Sequence, residues 1–437
     1  MFFRLKDLIR AVRVCKTATD ERNVIRRESA AIRTSFKEAE SQDVRYVNVQ
    51  KLVYIYLLGQ PVQFGQLECL KLAASARFAD KRVGYLGVGL LVDETQEILT
   101  LLTNSLKTDL HSSDDYVVGL ALGALASVAS AEVAGDLADE VQRLAGSARA
   151  YVRKKAGLAA VRVVQRAPDA ADAFVAAARA LVGDRHHGVR LAGAALLEEL
   201  SGRSAAAADA AAALVPELAR QLRELATGAG GGEHGVRGIG DPFLQAALLR
   251  LVRVAARGSA AAADAAGDVL ALVGAQDDAA GNVATALLYE CAVTALAIPA
   301  GAALRGLAVN VLGRLLARAD SNARCVALGA LATAVVADAA AVQRHRATVL
   351  ARLRDDDATI RRRALDLAFA LVDAANAPAV VREILRALPH VDADQRASAA
   401  YRLAAAVALF AASREWHVDR MLRLLAVAGA HVRARDL

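Results

Sequence analysis

The chain has 437 residues, 55% of them apolar and only 4% aromatic, with a formal net charge of +7. An apolar fraction of that size excludes a disordered chain, and the four cysteines (Cys15, Cys69, Cys291, Cys325) form no CxxC pair that would argue for a disulfide framework or a zinc site. They read as reduced, mostly buried thiols of a cytosolic protein. Much of the apolar content is alanine, the strongest helix former, and only seven prolines interrupt the chain. Alternating β-branched runs are scarce, so the fold class that follows is all-α.

The opening stretch RLKDLIRAVRVCK predicts an amphipathic helix. Leu5, Leu8, Ile9, Val12 and Cys15 form one apolar stripe; at about 100° per residue, Arg13 falls at its rim, about 40° beyond Ile9, and Arg10 lies well outside it. Residues 1–60 hold 12 Lys/Arg against 7 Asp/Glu, a balance that favours acidic partners such as anionic lipid headgroups or acidic peptides. Charges recur from Arg4 to Lys16 and leave no apolar segment for a secretory signal, while Asp7, Asp20, Glu21 and Glu28 argue against a mitochondrial presequence. Further on, FGQLECL places Leu67 and Leu70 at i and i+3 on a helix, where spacing alone reads them as core leucines.

A repeat then runs under the chain. The segments DKRVGYLGVGLLV, DDYVVGLALGALASV, RAYVRKKAGLAAVRVV and HHGVRLAGAALLEEL, anchored on Arg82, Val118, Arg153 and Arg190, step by 36, 35 and 37 residues. Later, SNARCVALGALATAV and DATIRRRALDLAFALV put Arg324 and Arg361 another 37 apart. Polar turn, basic or β-branched pair, then apolar residues at helical spacing is the pattern of stacked helix pairs, and predicts a HEAT/armadillo-like α-solenoid. Gly84, Gly119, Gly157 and Gly193 would let adjacent helices approach closely. The basic run YVRKK (Arg153, Lys154, Lys155) reads as a structural repeat turn. Between the repeats, TGAGGGEHGVRGIGDP at 227–242 is a glycine-rich loop; no Lys-Ser/Thr follows its glycines, so it is no phosphate cradle. The alanine-rich patches RSAAAADAAAALV and SAAAADAAGDVLALV read as solvent-facing helices. The most apolar run, 283–304, contains Glu290 and Pro299 and reads as a pair of helices rather than a membrane span.

No constellation for catalysis emerges. The eight histidines show no HExxH or other ligand spacing, no GxSxG or GxGxxG stands on a strand–turn–helix, and the carboxylates Asp93 and Glu94 read as a helix end. No nucleic-acid recognition module or aromatic stacking platform is evident. A solenoid without a catalytic constellation is a scaffold or recognition protein, with no enzyme activity, cofactor or metal implied.

At FGQLECLKLAASARFADKRVGYLGVGLLVDE, and nearly from end to end, the chain resembles the large subunits of clathrin adaptor complexes. The resemblance extends through RRESAAIRTSF, LLTNSLKTDL, GIGDPFLQ, NVATALLYE and LRGLAVNVLGRLL, and AVQRHR followed by IRRRALDLAFALV points to the gamma type, the gamma-adaptins. It implies a large subunit of a heterotetramer with beta, mu and sigma subunits, recruited by an Arf-family GTPase in its GTP form and a phosphoinositide. Such a complex sorts cargo into clathrin-coated vesicles in intracellular protein transport, on the cytoplasmic side of trans-Golgi network and endosome membranes. Large subunits of this family continue past the solenoid into a hinge and an ear that bind clathrin; this sequence stops at AGAHVRARDL, so residues 1–437 are expected to be a truncated N-terminal trunk lacking both.

The resemblance also implies site residues. The arginine matching Arg13 helps bind the acidic residue of dileucine sorting signals beside the sigma subunit, a task that suits a planar guanidinium. Leucines matching Leu67 and Leu70 face the GTP-bound Arf protein. Arg45, in VRYVNVQKL, is the surviving basic residue of a phosphoinositide site in which Val47 stands where a second basic residue is usual. Alternatives from the residues alone are a solvated Arg13, a free-standing HEAT-repeat scaffold or importin-like carrier, and a nonfunctional truncated paralogue.

Overall fold

The computed structural model of the chain describes residues 4–38, 41–93, 98–228, 232–276, 281–411 and 413–429. The middle of the glycine-rich loop (229–231), Glu94, His431 and the C-terminal residues through Leu437 lie outside them. Among the described residues there are 24 α-helices and no strand, and the chain divides into two compact units, Met1–Ala211 and Ala212–Leu437.

In the first unit the helices are α1 (Leu5–Val14), α2 (Ala18–Lys37), α3 (Gln42–Leu57), α4 (Gln66–Ala73), α5 (Phe78–Leu91), α6 (Ile98–Leu110), α7 (Asp115–Val128), α8 (Ala131–Asp136), α9 (Ala138–Ala145), α10 (Ala150–Arg166), α11 (Val175–Val182) and α12 (His187–Ser201). Helix α13 (Ala205–Ala226) contains the boundary. The second unit holds α14 (Pro242–Ala255), α15 (Ala260–Gly274), α16 (Asn282–Ala297), α17 (Ala302–Ala317), α18 (Ser321–Ala337), α19 (Ala339–Gln343), α20 (Arg346–Ala351), α21 (Ala358–Ala370), α22 (Ala377–Ala387), α23 (Ala393–Leu409) and α24 (Arg414–Ala428). Short polar residues start many of them. Thr17, Asp114, Ser130, Asp241, Asp320 and Asp357 each accept a hydrogen bond from a backbone N–H of the first turn, satisfying donors that the helix leaves free.

The architecture is the HEAT/armadillo-like α-solenoid type, and each unit shows its two rows. In the first unit α3, α5, α7, α10 and α12 pack in succession, backed by α4, α6, α8–α9 and α11. In the second, α14, α16, α18, α21 and α23 form one row and α15, α17, α19–α20, α22 and α24 the other. A continuous apolar core there runs from Leu288 to Ala428.

The repeat anchors turn out to be mechanical parts. Arg153 donates to the carbonyls of Ser147 and Ala148 at 2.9 Å, closing its own turn, and from Nε to Asp184 of the next repeat at 2.8 Å. Arg324 repeats this with Arg318, Ala319 and Asp355, and Arg361 with Asp355, Asp356 and Asp392. Each arginine thus fixes the spacing of two successive turns. At the first anchor the register shifts by one residue: Arg82 is exposed, and Lys81 instead reaches the Ala73 carbonyl and Asp109.

Close approach occurs where glycine was expected. A Cβ at Gly84 would lie 2.3 Å from the Ala73 nitrogen, and one at Gly193 would lie 2.6 Å from that of Val182. The alanine-rich helices α13 and α15 differ from expectation. They are not solvent-facing throughout: Ala207, Ala211, Ala263 and Ala266 are buried, because alanine's small side chain lets one face of each helix pack closely. The run 283–304 forms α16 and the start of α17, and among the described residues no helix is long and apolar enough to cross a membrane.

Candidate functional site

The chemistry-bearing residues singled out from sequence lie on α1, α3 and α4. Helix α1 buries Leu8 and Val12 and holds Leu5, Ile9 and Cys15 half-buried, while Arg10 and Arg13 face solvent. Arg13 has no ion-pair partner among the described residues. No described hydrogen bond joins it to α3 or α4, so the structure leaves it apart from the other candidates.

Helices α2 and α3 are pinned by a buried polar network. Lys51, fully buried, donates to Glu28 Oε1 at 2.8 Å, and Asn48 donates to the Ser35 hydroxyl at 2.8 Å. Helix α3 is joined to α4 and α5 by two carboxylates. Glu68, buried, takes Arg45 Nε at 2.7 Å and Lys71 Nζ at 2.6 Å. Asp80, fully buried, accepts from Arg77 Nε at 2.9 Å, Gln42 Nε2 at 3.0 Å and the Ser75 hydroxyl at 3.0 Å. Burial alone would raise the Asp80 pKa; the hydrogen bonds from Arg77, Gln42 and Ser75 outweigh it and hold the carboxyl below the ordinary range. Arg45 is therefore half-buried and committed to Glu68, with a second hydrogen bond to Gln42 at 2.7 Å.

The two leucines of FGQLECL divide. Leu67 is 48% exposed, whereas Leu70 is 8% exposed and part of the core. The expectation that both face solvent holds for Leu67 alone. Of the two residues between them, Glu68 is buried and Cys69 is fully buried, and burial beside Glu68 pushes the thiol up to about 12. The start of α4 lies beside a cavity of about 780 Å³ lined by Tyr56, Leu57, Pro61, Val62, Gln66 and Leu91 among others. Just before α4, Phe64 carries Arg33 of α2 stacked over its ring at 4.3 Å.

The sequence reading missed an aromatic ladder. Phe78, Tyr116 and Tyr151 stand exposed at the starts of α5, α7 and α10, with centroids 6.5 and 5.7 Å apart. Tyr116 and Tyr151 are 35 residues apart, the repeat step itself, and that recurrence was the available signal. Leu86 and Leu158 are also exposed on α5 and α10. Among the described residues no group of three or more His, Cys, Asp or Glu is placed to hold a metal ion.

Exposed apolar side chains along a stack of helix pairs generally mark a recognition surface. The family model "Adaptin N terminal region" matches residues 21–436. The chain is 45% identical over 431 residues to AP-1 complex subunit gamma-1 of Arabidopsis thaliana, covering 98% of this chain and 49% of the relative. It is 44% identical to the subunit of that name from Mycosarcoma maydis (100% and 50%) and 44% identical to AP-1 complex subunit gamma-like 2 of Mus musculus (98% and 54%). The chain spans about half the length of the curated relatives it matches. Among solved structures, a homology model of the full-length AP-3 complex aligns with a TM-score of 0.60 at 20% identity, covering 91% of this chain and 70% of that one. A structure of Kap95p with RanGDP aligns with a TM-score of 0.62 at 10% identity, covering 98% and 60%. These two likenesses establish the solenoid fold; the family comes from the sequence matches, and by them the chain belongs to the adaptins, as their N-terminal region.

Proposed function

We propose that this chain serves, without enzyme activity, as a large subunit of a heterotetrameric clathrin adaptor complex in vesicle-mediated transport, joined to beta, mu and sigma subunits. The observation that carries the reading is identity of 43–45% to AP-1 gamma subunits of plant, fungus and mouse along essentially the whole chain. The exposed ladder of Phe78, Tyr116 and Tyr151 supports it, since contiguous exposed apolar surface on a subunit generally marks an interface. The complex works as a peripheral assembly on trans-Golgi network and endosome membranes. Leu67, exposed on α4, is its contact for the GTP form of an Arf-family GTPase, with Leu70 beneath it holding the helix in place. Arg13 is the contact for the acidic residue of dileucine cargo signals, and its free guanidinium suits that role. Arg45 serves a phosphoinositide only if it leaves Glu68.

The test is co-purification. Tagged chain expressed with beta, mu and sigma subunits is expected to recover all four in equal amounts. A stable, monodisperse monomer that ignores all three would overturn the assignment in favour of a free-standing carrier.

A further inference from the structure

Polar chemistry that the reading above leaves unused gathers in the second unit, between α21 and α23. Arg362 and Asp366 of α21 and Gln395, Ser398 and Arg402 of α23 line a cavity of about 330 Å³ beside the buried Leu365. On each helix these residues stand three, four or seven positions apart, so they share one face. The two helices run side by side in the same direction. Arg361 reaches Asp392 at 3.5 Å and, farther along both, Arg402 reaches Asp366 at 2.5 Å. Arg362 precedes Asp366 by one turn, about 6 Å of helix. The cleft is thus lined by two guanidinium-bearing residues about one turn apart.

Three of the polar side chains there are unspent. Arg362 is exposed and has no hydrogen-bond or ion-pair partner among the described residues, and neither do the Gln395 amide and the Ser398 hydroxyl. The arginines on either side of Arg362 are employed: Arg361 donates to the Asp355 and Asp356 carbonyls at 3.0 and 2.9 Å, and Arg363 to the Cys325 carbonyl at 2.8 Å. Arg402 is 43% exposed and stacks over the Phe369 ring at 4.3 Å. It gives Asp366 one of its five N–H groups. Donors therefore outnumber acceptors in this small cleft.

We propose that this cleft binds a phosphorylated serine or threonine side chain of a partner peptide. A phosphate dianion offers three strong acceptor oxygens, and guanidinium groups bind it with two parallel hydrogen bonds. A carboxylate ligand gains less: Asp366 already supplies one to Arg402, and a single negative charge leaves the remaining donors underused. Asp366 in turn gives the cleft an acceptor for a peptide N–H beside the phosphorylated residue. The volume lies at the lower end of ligand sites, room for a phosphate and its side chain. No aromatic face is open to a nucleotide base, because Arg402 covers the Phe369 ring. The surroundings do not favour a lipid surface either: residues 355–402 hold seven Lys/Arg against eight Asp/Glu. The site goes beyond the adaptor reading and does not depend on it.

The experiment is fluorescence anisotropy of the full chain with a labelled, glycine-flanked phosphoserine peptide and its unphosphorylated counterpart. The phosphopeptide should bind about tenfold tighter or more, and excess inorganic phosphate should displace it. A hydrogen bond to a charged group is worth roughly 10- to 100-fold in affinity, so Arg362→Ala should weaken binding by about tenfold or more. Ser398→Glu, which sets a carboxylate in the cleft, should weaken it as well. Both positions are exposed, so melting should be unchanged in each variant. If Arg362→Ala does lower the melting transition, Ser398→Glu with intact melting decides: lost binding supports the site and retained binding overturns it. Equal affinity for the two peptides, binding of neither, or undiminished phosphopeptide binding in both variants overturns the proposal. Capture by phosphoinositide vesicles that Arg362→Ala abolishes, without phosphopeptide binding, assigns the cleft to a lipid headgroup and also overturns it. Subunit assembly is judged separately, by co-purification.

Discussion

The split between Leu67 and Leu70 makes opposite demands on two neighbouring substitutions. Leu67 is half exposed, so Leu67→Glu leaves the fold intact and changes only what docks there. Burying a whole leucine is worth about 1.5–3 kcal/mol, of which roughly half remains for a partner to gain. A carboxylate left unpaired in that contact costs about 1–3 kcal/mol more. GTP-dependent binding of the Arf protein should therefore weaken by about 2–4 kcal/mol, on the order of a hundredfold. Leu70→Glu behaves differently: truncating a buried leucine costs about 2–5 kcal/mol before any charge is added, and the carboxylate would be buried without a partner. That is a large share of the roughly 5–15 kcal/mol that holds a domain folded. Because solenoid repeats depend on their neighbours, the N-terminal repeats should melt first. The assay is paired: thermal melting of the assembled complex, and GTP-dependent pulldown. A lowered melting transition in Leu67→Glu, or an unchanged one in Leu70→Glu, would refute the packing argument. Unchanged melting and unchanged pulldown in Leu67→Glu would remove the GTPase from this surface.

Arg13→Ala in the assembled complex should weaken dileucine peptides bearing an upstream acid by about 1.5–3 kcal/mol, the value of a hydrogen bond to a charged group, and spare tyrosine-based signals; equal peptide affinity before and after would return Arg13 to solvent. Lys51→Met strands the buried Glu28 carboxylate and should cost about 3–5 kcal/mol in denaturant unfolding, most of it recovered when Glu28→Gln is added. Asp80 has a folded pKa below its unfolded value of about 3.9, so its stabilising contribution is complete above that pH and is lost as pH falls through the folded value; Asp80→Asn should flatten the acid limb of a melting-versus-pH curve below about pH 4. Gly193→Ala, whose methyl would meet the Val182 backbone, should lower stability by about 1–3 kcal/mol despite alanine's better helix propensity.

Much of the architecture was already legible in local pattern. Alanine content and helical spacing dictate helices, and the step between Arg153 and Arg190, or Arg324 and Arg361, repeats because one arginine must cap its own turn and reach the next. A repeat whose parts touch only their neighbours writes its register into the sequence at short range. The apolar stripe of α1 and the glycines at close helix contacts were legible for the same reason.

What needed the tertiary structure was which of several similar residues is free. Leu67 and Leu70 share a helix, yet whether each meets core or solvent depends on how α4 lies against α3 and α5. Arg45 and the α2 arginines are equally basic in sequence; the position of Glu68, 23 residues beyond Arg45, commits one, and among the described residues the others hold no carboxylate. Lys81 displaces Arg82 as the anchor because Asp109 lies on its side of the helix. Local propensity and period fix where helices form and which stripe is buried, whereas the pairing of charges and the exposure of residues near a stripe's edge are long-range facts, decided when the helices stack.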